Sequence, residues 1–261
     1  MDSGSGAELW RYEIEPIYKG HDGSDDGPIS TPIIDDGMVY GLGASGKLFA
    51  VRLKDGSEVW SSNILEKFDA HVPLYGFTTQ PVAHGDTLFV QTGGSEGRSL
   101  TAFDKKTGKV RWSSGDDAVG YQSPVVATLA GRSQVLALGN KVVAGYAPET
   151  GDVLWSQQYD SGDNDGSAQP VLLGDSRFLL VRNADSVVYE VSVSDGVFSV
   201  DEVWTSDAIN GSLATPVVYE GHLYGFDGNF LTCVEVAGGT KIWKSRPPGG
   251  NGLILVDDYL V

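Results

Sequence analysis

Five of the six tryptophans in this chain stand four residues after a glycine: Gly6/Trp10, Gly56/Trp60, Gly108/Trp112, Gly151/Trp155 and Gly239/Trp243. That spacing confines each copy to a tight turn followed by a short strand that closes on an indole. Trp204 departs, because its nearest upstream glycine is Gly196, and a longer turn is expected in that copy. A second signature alternates with the first, a proline followed by β-branched residues at Pro32, Pro81, Pro124, Pro170 and Pro216. The prolines are spaced by 49, 43, 46 and 46 residues. A period in this range belongs to a propeller or a solenoid, and it governs every later inference.

Four strands are legible within one period. Thr31 to Asp35 is apolar, Asp36-Gly37 is a hairpin turn suited to strand twist, and Met38 to Leu42 returns. Gly43 to Gly46 turns again, Lys47 to Arg52 is a third strand, Asp55-Gly56 turns, and Glu58 to Ser61 is the fourth. Four short antiparallel strands joined by tight turns make one blade, so the predicted fold class is all-β, a β-propeller. One domain is expected over 1–261, with complete blades at about 30–62, 80–114, 122–158, 168–206 and 214–245. Residues 1–14 read as the outer strand of a partial blade, and 252–261 as the first strands of a further one. No helix is predicted. Incomplete blades carry exposed strand edges, which invite pairing with other chains and hence oligomerisation.

The opening copy that defines the unit is Ala102 to Trp112, where Ala102, Asp104, Thr107, Gly108 and Trp112 fill the pattern A-x-D-x-x-T-G-x-x-x-W. Ala50, Gly56 and Trp60 fill three of those positions, as do Thr150, Gly151 and Trp155, while Gly239 and Trp243 fill two. This stretch resembles the tryptophan-docking motif of the pyrroloquinoline-quinone (PQQ)-like propellers. The chain is similar over nearly its whole length to the bacterial PQQ-binding-like β-propeller repeat proteins. These overlap with the assembly-factor lipoprotein of the outer-membrane β-barrel machinery. The resemblance implies structural docking roles for Trp10, Trp60, Trp112, Trp155, Trp204 and Trp243 and for Gly56, Gly108, Gly151 and Gly239. It also implies seven or eight blades, hence blades missing here, and a periplasmic or secreted location for the full-length protein, although no signal peptide is present in this chain. The motif has a physical reason of its own: a flat indole can wedge between sheets where a glycine lets the backbone approach.

The same resemblance raises quinone chemistry. The quinone dehydrogenases of the family hold PQQ against a vicinal disulfide, stack it on a tryptophan and set calcium on carboxylates. Only Cys233 is present, and all six tryptophans are taken by docking positions, so PQQ is not expected. No CxxC or CxxCH arrangement is possible either. The net charge of −17 argues against nucleic acid and anionic membranes, because phosphate binding needs clustered Lys and Arg. No apolar run is long enough to span a membrane.

Function is therefore sought in the connections between blades, whose lengths differ. Trp10 to Pro32 and Trp60 to Pro81 span 22 and 21 residues, against 12 for Trp112 to Pro124. Long loops on a rigid scaffold carry sites. The first holds His21, Asp22, Asp25 and Asp26, the second His71, Tyr75 and Phe77, and the fourth Asp160, Asp163 and Asp165. Clustered carboxylates with glycine could wrap Ca²⁺, although neither acidic run has EF-hand spacing and solvated turns use the same residues. His21 and His71 on equivalent connections could approach and bind a transition metal, against the plainer reading of two unrelated surface histidines. The apolar run Val72 to Phe77 is unusual for a surface loop. It suits a channel plug or a protein partner docking through Tyr75 and Phe77, with Asp160 as a further contact. No catalytic residue is proposed. The expected role is a non-catalytic binding or scaffolding module that takes a protein partner on its long-loop face. The alternatives are a quinone- or metal-dependent oxidoreductase and a structural piece of a larger multi-blade protein.

Overall fold

The computed structural model describes residues 1–20, 26–27, 29–93, 96–159, 167–211, 213–246 and 252–261. The turns dictate the strand pairing. In residues 2–7, 52–57, 104–109, 147–152 and 235–240 one backbone pattern recurs. The first residue donates its N–H to the carbonyl of the sixth and accepts at its own carbonyl from the glycine N–H. The glycine φ lies between +67 and +78° in all five, the left-handed region that glycine enters without a Cβ penalty.

The chain divides into two compact units, residues 1–119 and 120–261. The first holds two four-stranded antiparallel sheets. One is β1 (Ile33–Asp35), β2 (Met38–Leu42), β3 (Lys47–Arg52) and β4 (Glu58–Asn63). A one-turn helix, α1 (Ile64–Phe68), follows it. The second sheet is β5 (Val82–His84), β6 (Thr87–Gln91), β7 (Leu100–Asp104) and β8 (Val110–Ser114).

The second unit holds three such sheets and a hairpin. They are β9 (Val125–Leu129) to β12 (Val153–Gln158), with β10 (Arg132–Leu138) and β11 (Val142–Tyr146) between. Next come β13 (Val171–Leu173), β14 (Arg177–Val181), β15 (Ser186–Ser194) and β16 (Val197–Ser206). Then follow β17 (Val217–Tyr219), β18 (His222–Asp227), β19 (Phe230–Glu235) and β20 (Lys241–Ser245), and the hairpin β21 (Leu255–Val256) with β22 (Tyr259–Leu260). In each four-stranded sheet neighbours in sequence are neighbours in space, which is the order of a propeller blade.

One device is common to all five blades. A β-bulge falls just before each tryptophan, so that Trp60 pairs with Ala50, Trp112 with Ala102, Trp155 with Gly145, Trp204 with Val188 and Trp243 with Cys233. Two residues then oppose one on the third strand, which re-aims the indole relative to the pleat. In three places a tryptophan ring, two of them following such a bulge, lies over a glycine turn of the next element. A Cβ built on Gly56, Gly108 or Gly239 would stand 2.5, 2.7 or 2.5 Å from the ring of Trp10, Trp60 or Trp204. Each indole Nε1 donates to a carbonyl of the same turn, Leu53 at 2.8 Å, Lys105 at 2.8 Å and Val236 at 3.0 Å.

The fourth blade corrects the expectation of a longer turn before Trp204. The turn at Asp195-Gly196 is tight, and it is the strands that are long. Six residue pairs follow the bulge, from Tyr189 with Glu202 to Ser194 with Val197. No glycine turn is therefore offered to Trp155, whose ring stacks on Phe178 instead, with centroids 5.6 Å apart. Its Nε1 donates to Gln134 Oε1 at 2.6 Å, and Gln134 Nε2 donates to the Leu129 carbonyl at 2.9 Å. Gln134 is fully buried, so this pairing keeps two polar groups satisfied inside the core. Twelve buried residues of these two blades, among them Leu136, Tyr159 just after β12, and Tyr189, form one apolar cluster there.

One further expectation differs from what is found. The single helix α1 is too short to show periodicity. It forms because Asn63 Oδ1 accepts from the Leu65 and Glu66 N–H groups and because Ile64 and Phe68, one turn apart, are both buried. Residues 1–14 pair with none of the described strands. They are held by side chains instead, with Trp10, Tyr12 and Ile14 packed on Val39, Phe49 and Val51.

Asp104 fastens its turn. Its Oδ1 accepts from the Thr107 N–H at 2.9 Å and the Thr107 hydroxyl at 2.8 Å, and its Oδ2 accepts from Arg111 Nη2 at 2.7 Å. The guanidinium first, and then the hydroxyl, hold the carboxyl down at about 2. A carboxyl whose pKa is lower folded than unfolded adds stability above its unfolded value of about 3.9, and that stability is lost as pH falls toward the folded pKa. Asp104→Asn is expected to lower stability at pH 7 by about 1–2 kcal/mol. The gap between variant and parent, read by urea unfolding, should narrow from pH 4 to pH 2. An equal gap at both ends of that range would show that the charge contributes nothing.

Candidate partner-binding face

The two long connections of the first unit meet over the turn between β2 and β3. Gly46 and Gly43 close that turn, and Phe77 reaches it by donating its N–H to the Ala44 carbonyl at 3.0 Å. Tyr18 donates its hydroxyl to the Leu74 carbonyl at 3.0 Å, and Ser30 donates to the Thr79 carbonyl at 2.9 Å. A Cβ on Gly76 would meet Ile29 at 3.2 Å. The two connections thus brace one another. Between them they expose Ile17, Leu74, Val72 and Tyr75, at 68, 57, 38 and 36 %. Apolar side chains this exposed at adjoining loops are the feature that separates an interaction surface from scattered surface residues.

Phe77 is not among them. It is fully buried in the cluster of Leu48, Ile64 and Phe68, so the expectation that it contacts a partner is corrected. Its role is to anchor the loop from below while Leu74 and Tyr75 stand outward. The alternation follows from the tight turn at Pro73 to Gly76, in which the Gly76 N–H donates to the Pro73 carbonyl at 2.8 Å.

A polar cluster flanks this face. Tyr12 donates its hydroxyl to Glu58 Oε2 at 2.5 Å, Ser61 donates to Glu58 Oε1 at 2.8 Å, and Lys47 Nζ stands 3.8 Å from Glu58. Lys47 also lies 4.9 Å from the centre of the Tyr12 ring. Burial and then the bond to Glu58 push the Tyr12 phenol up, and the same bond is the chief cause drawing the Glu58 carboxyl down. Glu15 Oε1 accepts from the Ser45 N–H at 2.7 Å, and the Glu15 carboxylate fills the space a Cβ on Gly43 would need. A cleft of about 440 Å³ runs here past Ile14, Glu15, Ser45, Lys47 and Ser62. Sequence reasoning did not single out these residues. The spacing of Tyr12 and Glu58 across 46 positions carries no local signal.

Of the residues considered for metals, His21, Asp22, Asp25, Asp163 and Asp165 lie outside the described residues, as does Asp160. Asp26 is engaged elsewhere: its Oδ2 accepts from Lys19 Nζ at 2.6 Å and its Oδ1 from the Gly20 N–H at 3.1 Å, and these bonds draw its carboxyl down. His71 is exposed. Among the described residues no three His, Cys, Asp or Glu side chains converge as metal ligands would. Cys233 is buried in β19, facing Trp243 across the pair. A single thiol in a core strand does not fit the vicinal disulfide on which a quinone rests, and no step is derived through such a group.

Residues 1–245 match the family described as outer membrane protein assembly factor BamB. The chain belongs to that family. Among solved structures it is similar to BamB from Moraxella catarrhalis, with a TM-score of 0.66 at 18 % identity, covering 89 % of this chain and 66 % of that one. A quinohemoprotein alcohol dehydrogenase from Pseudomonas putida aligns with a TM-score of 0.51 at 17 % identity, over 85 % of this chain and 42 % of the other. Likeness at these identities shows a common β-propeller fold. Among curated relatives, quinoprotein alcohol dehydrogenase PedH of Pseudomonas putida is 28 % identical over 159 residues, 55 % of this chain. A quinone-dependent 1-butanol dehydrogenase of Thauera butanivorans is 29 % identical over 91 residues, 34 % of this chain. The chain spans only 25 % and 14 % of those two relatives. For this member of the BamB family, no described helix is long and apolar enough to cross a membrane.

Proposed function

We propose that this propeller is a binding or scaffolding module without catalytic chemistry of its own, which takes a protein partner on the face carrying its long connections. One observation carries the reading. Ile17, Val72, Leu74 and Tyr75 are exposed on two connections that hydrogen bonds and the buried Phe77 hold in place. A rigid, apolar and loop-borne surface suits a protein, since the bracing lowers the ordering entropy lost on binding. Membership of the BamB family supports a partner from outer-membrane assembly and a periplasmic location. The net charge of −17 favours a partner with a basic surface around its apolar contact.

A photo-crosslinking residue at position 74 is expected to trap one protein from a bacterial envelope fraction. The same residue at Val110, exposed on β8, should trap none. Leu74→Asp together with Ile17→Asp should abolish the adduct while leaving the circular dichroism unchanged. Equal labelling from positions 74 and 110 would overturn the assignment of the face.

The curated relatives favour a second reading, a quinone- or metal-dependent oxidoreductase. PQQ with Ca²⁺ is expected to leave the melting temperature within about 1 °C, whereas a ligand bound at a hundred times its Kd would add about 2.7 kcal/mol and raise it. A rise of several degrees that disappears on chelation would replace the binding module with the enzyme.

A further inference from the structure

We propose that the cleft beside the first long connection is a binding site for a neutral saccharide. Both of its walls belong to the first unit. Ile14, Glu15 and Pro16 form one, and Ser45, Lys47 and the end of β4 from Ser61 to Asn63 form the other. At about 440 Å³ the space falls within the range of small-molecule sites, about 300–1,000 Å³. The walls are pinned to one another. Glu15 Oε1 accepts from the Ser45 N–H at 2.7 Å, Tyr12 donates its hydroxyl to Glu58, and Ile14 packs on Val39, Phe49 and Val51. A site held this way loses little ordering entropy when a ligand arrives.

The polar groups left over select the ligand. Among the described residues the Ser45 and Ser62 hydroxyls and the Asn63 amide nitrogen bond to nothing, while the Asn63 oxygen is taken by N–H groups of α1. Glu15 Oε2 is likewise open, and Glu15 enters no ion pair among the described residues. Lys47 brings an ammonium to the same cleft, with Glu58 at 3.8 Å. Two carboxylates against one ammonium repel a phosphate or a carboxylate. A lining of hydroxyl, amide and charged groups offers little to an apolar ligand, and no three described side chains converge on a metal. An organic cation would satisfy Glu15 but leave the Asn63 amide and the Lys47 ammonium without an acceptor. A sugar hydroxyl donates and accepts at once, so neighbouring hydroxyls can donate to Glu15 while accepting from Asn63 and Lys47. The C–H face of a pyranose suits the apolar surface of Ile14 and Pro16.

Isothermal titration calorimetry of the chain against glucose, galactose, N-acetylglucosamine, maltose and cellobiose tests the site. At least one of these is expected to bind with a millimolar or tighter Kd, whereas spermidine and inorganic phosphate should not bind. Glu15→Gln should weaken that binding at least tenfold with unchanged circular dichroism, since it exchanges a charge-assisted hydrogen bond for a neutral one. Asn63→Asp keeps the cap of α1, because aspartate caps as asparagine does, but removes the amide donors. It too should cost at least tenfold in affinity, with an unchanged melting curve. Absence of binding by all five sugars overturns the proposal, as does tighter binding of spermidine or phosphate. A bound sugar whose affinity Asn63→Asp or Glu15→Gln leaves unchanged overturns it equally, because the sugar would then sit elsewhere.

Discussion

Gly108→Ala is expected to lower stability by about 2–4 kcal/mol, whereas Gly85→Ala should lower it by about 1 kcal/mol. Both glycines have positive φ, +67° and +56°, so both substitutions carry the backbone strain of a left-handed alanine. They differ in surroundings. A Cβ at 85 enters open space, while a Cβ at 108 arrives 2.7 Å from the fused carbons of Trp60. That ring cannot retreat cheaply, because its Nε1 is tied to the Lys105 carbonyl and its Cγ is itself only 3.2 Å from the new methyl. Thermal or urea unfolding of the two variants checks the difference. In a Trp60→Ala background the loss from Gly108→Ala should shrink to that of Gly85→Ala, since only the strain remains. Equal losses at 85 and 108 would mean that the indole gives way.

The second large effect concerns an ion pair of unequal partners. Lys105 is 6 % exposed at its side chain and bonds to Asp35, which is 40 % exposed, with Asp36 at 4.0 Å. Asp35→Ala leaves an ammonium in a dry site with one distant carboxylate and should destabilise by about 2–3 kcal/mol. Lys105→Met leaves a carboxylate that water can reach and puts a thioether where an aliphatic stem already packs, so about 1 kcal/mol or less is expected. Urea unfolding of the two single variants checks the order. A larger loss from Lys105→Met would mean that the pair serves Asp35 rather than Lys105.

Lys105 also marks the boundary of what sequence could reveal. In Asp104-Lys105-Lys106-Thr107-Gly108 it reads as one of two solvated turn lysines, and Lys106 is indeed mostly exposed. The difference arises because Asp35 lies 70 residues away and burial is a property of the neighbouring blade. The strands, by contrast, were legible, because the Asp36-Gly37 turn and alternating apolar residues set β1 to β4 locally. The bulge before Trp60, Trp112, Trp155, Trp204 and Trp243 is hidden in a spacing that looks like a turn motif alone. The run Val72 to Phe77 is unusual for a surface loop on sequence alone, but its division into buried Phe77 and exposed Leu74 depends on a turn that only the fold fixes. The polar cluster of Tyr12, Lys47 and Glu58 carries no sequence signal because its members come from a loop and two strands, with no shared period.

The long hairpin of β15 and β16 has a consequence for how such a chain assembles. In a repeat array the free energy is a sum of units and their junctions, so the strongest junction determines where order begins and where it persists. The junction of β9–β12 with β13–β16 buries twelve apolar residues and an amide bonded to the Trp155 ring, where the junction of β13–β16 with β17–β20 buries ten apolar residues, among them Trp204 on its glycine turn. These two blades are therefore expected to order first within the second unit. They should be the first to become protected from hydrogen exchange and the last to release it.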